Sequence, residues 1–288
     1  MTANAANPGA IGSRPALHRR ILRAVLGSAL IVGGALVAPP AGAQEAISKP
    51  CDITVMISGA FNASYQIIAP TFEKARGKTL CTAQGPSMGA TPQAIPNRLA
   101  RGENADIVIL ARSSLDDLLA KGVVKKGTEV DLIRSKIAMA VKKGAPKPDI
   151  STGEKFKAAL LKSKSFAYSD SASGVYIKTQ MLKNMGIEDQ VVGKHRAIPA
   201  TPVGIEVAEG RAELGFQQLS ELKPIPGIDI VGTIPEPWQL VTVFSAGIPT
   251  NAKHPEEARA LLGRLSSRAA WPTLRKTGVE PAAAPPTK

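Results

Sequence analysis

The chain predicts an α/β fold of two lobes, on three observations. Ile107–Ala111 is an unbroken apolar run, which suits a parallel strand buried on both faces. Two small-residue loops, Gly85–Thr91 and Ser169–Gly174, each stand between a strand-like run and a helix-like one, as βαβ units require. Aromatic residues are scarce at 4% while Ala, Gly and Val are plentiful, a mixture common in α/β proteins. With 288 residues the chain fits one large or two modest domains.

In chain order, Ile53–Ile57 reads as the first strand. A helix follows to Arg76, capped by Asn62 or Ser64, with Pro70 expected to kink it and Gly77 to end it. Leu80–Ala83 is a short strand, and Pro92–Arg101 a helix that Pro96 delays. After Ile107–Ala111, Ser114 caps a short helix stopped at Gly122, and Lys136–Val141 is strand-like. A second series opens with the capping-box pattern Ser151–Glu154 and a helix to Leu161. Ser165–Tyr168 is a strand, and Val175–Met185 a helix whose apolar residues recur at helical spacing until Gly186. A short helix from Thr201–Val203 ends at Gly210. Leu214–Gln218, Ile228–Gly232 and Leu240–Ser245 read as strands. Pro255 opens a helix to Ser266, and the tail after Val279 is expected to be loose.

The first 43 residues read as a cleavable export signal. Arg19, Arg20 and Arg23 precede an apolar run, Ala24–Val37, and Ala41-Gly42-Ala43 offers a cleavage site before Gln44. The alternative is a permanent N-terminal anchor. The whole chain carries +13; removing residues 1–43 leaves 32 basic against 23 acidic side chains, a net of +9. That excess is scattered, without aromatic interleaving or a reader motif, so no nucleic-acid partner is expected. An exported chain permits a disulfide between Cys51 and Cys81, worth about 3.5 kcal/mol for a loop of ~30 residues; two buried thiols are the alternative. Two cysteines and three histidines without clustered spacing give no metal site, and no cofactor is expected.

This organisation resembles the type II periplasmic solute-binding proteins, specifically the molybdate-binding protein family. The pieces that carry the resemblance are Ile53–Ser64, Gly102–Ala111, Asp170–Leu182 with its Gly174-Val175-Tyr176, and Leu214–Phe216, in an order that extends across 52–280. The resemblance implies the type II fold: lobe one at 44–138 and 238–288, lobe two at 139–237, each a mixed sheet flanked by helices, with a cleft between. It implies that serine hydroxyls, backbone N–H groups and a tyrosine from four loops hold an oxyanion. Carried over by position, the first-loop serine falls at Ala60, with Ser58 and Asn62 near it, and the second at Ser87, followed by Met88 and Gly89. The backbone donors fall at Ser173, followed by Gly174, and at Val203; Gln218 occupies the tyrosine position. The implied ligand-binding set is Ala60, Asn62, Ser87, Met88, Gly89, Ser173, Gly174, Val203 and Gln218. Two hydroxyl contributors are missing, which weakens molybdate itself as the ligand.

The expectation is a monomeric periplasmic protein that captures a small anion by hinge closure and delivers it to an inner-membrane ABC transporter permease. A second reading comes from relatives that are periplasmic aconitate isomerases. These would need one base near the cleft to move a proton across an allylic system, for which His195, Glu206 and Tyr176 are the candidates. Arg98 or Arg112 could pair with a ligand carboxylate. A third reading takes Gly85–Gly89 as a G-x-S-x-G nucleophile elbow, which would need a downstream histidine such as His195 or His254.

Overall fold

A computed structural model describes residues 51–283. The expected export signal therefore lies outside the described residues. One continuous path of strands runs through the molecule. In sequence the elements are β1 (Ile53–Ile57), α1 (Gly59–Arg76), β2 (Leu80–Gln84), α2 (Ile95–Ala100), β3 (Ile107–Ala111), α3 (Arg112–Ala120) and β4 (Val130–Lys142). There follow α4 (Gly153–Lys162), β5 (Phe166–Ser169), α5 (Ala172–Tyr176, continued by a π turn, Ile177–Met181, into α6, Leu182–Asn184), β6 (His195–Ile198), α7 (Val203–Ala208), β7 (Leu214–Gln218) and α8 (Leu219–Leu222). Then come β8 (Ile228–Thr233), β9 (Val241–Gly247), α9 (Pro255–Ser266), α10 (Trp271–Thr277) and β10 (Glu280–Pro281). The strand order is β2-β1-β3-β9-β4-β7-β5-β6, with β8 and β10 also on β4. Parallel pairs on both flanks and antiparallel ones in the middle make it a mixed sheet.

The division into two lobes happens inside β4. Up to Lys136 this strand pairs with β9, while from Ile137 it pairs with β7 and β8. The return crossing is the segment 234–240. Gln239 ties the two crossings together: its amide nitrogen donates to the Ile137 and Ile234 carbonyls, and its oxygen accepts from the Ile137 N–H. Each lobe buries its own core. In the first, β1 and β3 meet α1 and α9 through Ile57, Phe61, Tyr65, Ile109, Leu261 and Leu265. In the second, Met139, Phe156, Phe166, Met181 and Phe216 pack together, with Phe216 edge-on to both phenylalanines.

The expected elements are present, with instructive differences. Helix α1 begins at Gly59 and takes Ser58 as N-cap, four residues before the earlier of the two expected capping positions. Pro70 does not divide it, because Pro70 and Gln66 are both exposed and the carbonyl left without its partner faces solvent. Gly77 closes it in the left-handed conformation. Strand β4 begins six residues earlier than its apolar stretch indicates. The strands and helices at β6, α8 and α10 have no clear sequence signal. The tail after Val279 is not loose throughout: Glu280 and Pro281 pair with β4. Cys51 and Cys81 form a disulfide with their Cα atoms 5.5 Å apart, tying the start of the described chain to β2.

Candidate functional site

Between the lobes lies a cavity of ≈ 180 Å³. Its first-lobe wall is Ser58 and Gly59 at the N-terminus of α1, then Gln84, Gly85, Pro86 and Gln93. Its second-lobe wall is Ser169 at the end of β5, Asp170 and Ser171 after it, Ala200–Pro202 before α7, and Gln217 and Glu221. Phe244 of β9 contributes from the middle of the sheet. The strands end here because parallel strands of one hand direct their carboxyl ends, and the loops that follow, to the same edge. Contacts across the cleft show the lobes closed. The Ser87 N–H donates to Ser171 Oγ at 3.0 Å, and Ser220 Oγ donates to the Ala60 carbonyl at 2.8 Å.

The first-lobe wall offers donors without charge. Ser58 is 2% exposed, makes no capping bond, and its hydroxyl has no partner among the described residues. A buried hydroxyl left unpaired costs free energy unless something outside the chain satisfies it. It stands at the positive end of an eighteen-residue helix, where an anion is favoured. Among the described residues lining the cavity there is no lysine or arginine.

The second-lobe wall carries two acids. Glu221 is half-buried as a residue, and its carboxyl lies against Gly59 and accepts from the Gln217 amide. Burial pushes that carboxyl up to about 7, against the smaller opposing pull of the Gln217 bond. Gln217 is itself fixed, since its oxygen accepts from the Val203 N–H at the start of α7 (2.9 Å). Burial also raises Asp170, whose Oδ2 has no partner among the described residues and whose Oδ1 receives the Ala200 N–H at 3.4 Å. Ala200 holds φ at 52°, a left-handed conformation that a side chain disfavours. The loop is thus bent at some cost at the rim of the cavity. What the arrangement provides is a closed space with neutral donors on one side and two titratable acids on the other.

The residues carried over by position sit around this cavity rather than on its lining. Ala60 is buried one residue past Gly59, and the Asn62 oxygen accepts from Gln66 and Gln84. Ser87 is fully buried, its hydroxyl accepting from the Ala111 N–H at 2.9 Å. Met88 packs on the first-lobe core, and Gly89 (φ 111°) lies against the Asp170 carbonyl, where a Cβ would collide. The Ser173 hydroxyl shares a bond with Ser169, and Gly174 is pressed on the Ser169 carbonyl. Val203 spends its N–H on Gln217. Gln218 donates to Thr242 at 3.3 Å, and its oxygen has no partner among the described residues. The proposed loops are brought together, with neighbouring residues turned inward.

The other candidates have different employment. Glu206 is paired with Arg196 and Arg211, which hold it down near 2. Tyr176 donates to the Trp238 carbonyl, and His195 Nδ1 lies 2.7 Å from Tyr168 Oη. Arg98 is bound to Glu103, and Arg112 to Asp116 and Asp131. His254 bonds to Asp106. With both histidines so engaged and the Ser87 hydroxyl on a backbone N–H, the nucleophile-elbow reading fails. Glu221 escaped sequence reasoning altogether.

The fold and site define a two-lobed ligand-binding protein. Residues 53–280 match the model of the bacterial extracellular solute-binding proteins, and the chain belongs to that family. It is 52% identical over 234 residues to a protein of a Pseudomonas species named aconitate isomerase, covering 81% of this chain and 89% of that one. Among solved structures, the Azotobacter vinelandii periplasmic molybdate-binding protein superposes with a TM-score of 0.65 at 18% identity, covering 82% of this chain and all of that one. The sulfate-binding protein SubI of Mycobacterium tuberculosis H37Rv gives 0.64 at 16% identity, covering 80% of this chain and 87% of that one. These two share the type II fold.

Proposed function

We propose that the protein isomerises aconitate in the periplasm, using the solute-binding cleft as an active site. One observation carries this: an enclosed carboxyl, Glu221, raised to about 7 in the cavity wall. A general base works best when its pKa lies near the working pH, and a protein that only held an anion would gain nothing from a carboxylate there. The relative named aconitate isomerase supports the same reading. In the step, the Glu221 carboxylate takes a proton from the methylene carbon of aconitate. The C–H electron pair spreads over the three-carbon allylic system and its carboxylates. Glu221 then returns the proton to the far carbon, the double bond moves by one position, and the other geometric isomer results. Ser58, the α1 N-terminus and Gln84 hold the carboxylates.

The test follows trans-aconitate by proton NMR with mature protein (Gln44–Lys288). The cis isomer should accumulate to the same ratio that is reached from pure cis-aconitate. A second reading is favoured by the family itself: a carrier that passes its anion to an inner-membrane ABC permease. Uptake of one equivalent without turnover would establish that reading instead.

A further inference from the structure

The glycines around the cleft go without a side chain for different reasons. At Gly85, Gly89 and Gly174 a Cβ would run into backbone, the Gln93, Asp170 and Ser169 carbonyls in turn. Those three let the loops pack. Gly59 is different. It is the first residue of α1 and has a negative φ that any residue adopts, and alanine is the better helix former. The nearest atoms to a Cβ built there all belong to one side chain, Glu221. That Cβ would overlap Oε2 and lie 2.7 Å from the carboxyl carbon.

The backbone on either side of this contact is fixed. Ser220 Oγ donates to the Ala60 carbonyl at 2.8 Å, and Ser220 and Leu222 are buried, so α8 cannot back away from α1. The Glu221 carboxyl ends a flexible side chain. Among the described residues it accepts one hydrogen bond, from the Gln217 amide, and none from the N–H groups of α1. An intruding methyl would therefore move the carboxyl and spare the fold. We propose that Gly59 is a positioning residue for Glu221: the space left by its missing side chain is the seat of the carboxyl that carries the proton. The task of that carboxyl rests on the isomerase reading; the seat itself does not. Among the described residues lining the cavity, Asp170 is the other ionisable side chain and there is no lysine or arginine. Lys223, two residues on, donates to the Lys276 carbonyl. Enclosure in the seat is thus what sets Glu221 apart from an ordinary carboxyl. Displaced from it, the group gains water and its pKa falls from about 7.

The test measures trans-aconitate isomerisation, its pH profile and Tm for mature wild type, Gly59→Ala, Glu221→Asp and the double variant. Gly59→Ala should keep its Tm and KM but lose kcat by on the order of tenfold or more, with the rise of kcat displaced to lower pH. Aspartate is one methylene shorter and leaves the seat clear. Gly59→Ala should therefore cost nothing further in the Glu221→Asp background. The same fractional loss in both backgrounds, or an unmoved pH profile, overturns the proposal, since the methyl would then be crowding the substrate and not the base. If Gly59→Ala does not fold, recovery of folding in the Glu221→Asp background supports the seat, and its absence overturns it. The seat is also read without turnover, by carboxyl ¹³C NMR. The Glu221 titration midpoint should fall in Gly59→Ala, and an unchanged midpoint overturns the inference. A wild type that does not isomerise aconitate sinks the proposed function alone.

Discussion

The two walls of the cleft are built for different tasks. The first-lobe wall is neutral, set by the N-terminus of a long helix, and its notable group is a hydroxyl without a partner among the described residues. The second-lobe wall is acidic, and its loops are held by side-chain bonds such as Gln217 to Val203 and to Glu221. Charge capture and proton transfer make opposing demands, since donors that hold a carboxylate would also keep a nearby base ionised and weak. The two meet where the Glu221 carboxyl lies against Gly59 at the start of α1, and burial still raises its pKa there.

The largest expected effect breaks the acidic wall. Glu221→Gln should lower kcat for aconitate isomerisation by about 10²–10⁴ with little change in KM; an equal loss in binding would make Glu221 a ligand holder instead. The pH dependence sharpens this. In wild type kcat should rise with pH through about 7 as the base ionises, and the residual rate of the variant should lack that rise. Stability moves the other way. Because the folded pKa exceeds the usual carboxylate value of roughly 4.3, Glu221 stabilises the fold fully below that value, and its contribution is lost as pH rises through about 7. Glu221→Gln should therefore gain on wild type in a denaturant titration at pH 8.

A middle-sized effect belongs to the first lobe alone. Replacing Cys51 and Cys81 by alanine should cost about 3.5 kcal/mol on the loop-entropy account. The denaturant midpoint reports it, and an unmoved midpoint would mean the bridge constrains nothing. The smallest effect tests the neutral wall. Ser58→Ala should weaken ligand binding by about 1 kcal/mol, on the order of fivefold, with kcat nearly kept. A drop in kcat of the Glu221→Gln size would erase the distinction between the walls.

Much of the fold was legible, because burial on both faces writes itself as unbroken apolar runs. Ile53–Ile57, Ile107–Ala111 and Leu214–Gln218 match their strands residue for residue. The first half of β4 was hidden by Asp131 and Arg134, whose partners (Arg112 and Ser245, and the Ala282 carbonyl) lie far away in sequence. His195 and Arg196 made β6 look like a solvated basic run. The site was legible only as loops. Which residue of each loop turns inward depends on tertiary contacts, and Glu221 owes its pKa to enclosure against Gly59, 162 positions earlier. On its own, a glutamate in a four-residue helix looks like any surface acid.

The first core also implies an order of events during synthesis. Its strands β1 and β3 come from residues before 112, but β9 and then Ala258, Leu261, Leu262, Leu265, Leu274 and Val279 complete it. Until the last thirty-odd residues have emerged, that half of the chain has apolar surface and nothing to cover it. The half of the chain synthesised first therefore cannot finish folding before translation of the whole is nearly done.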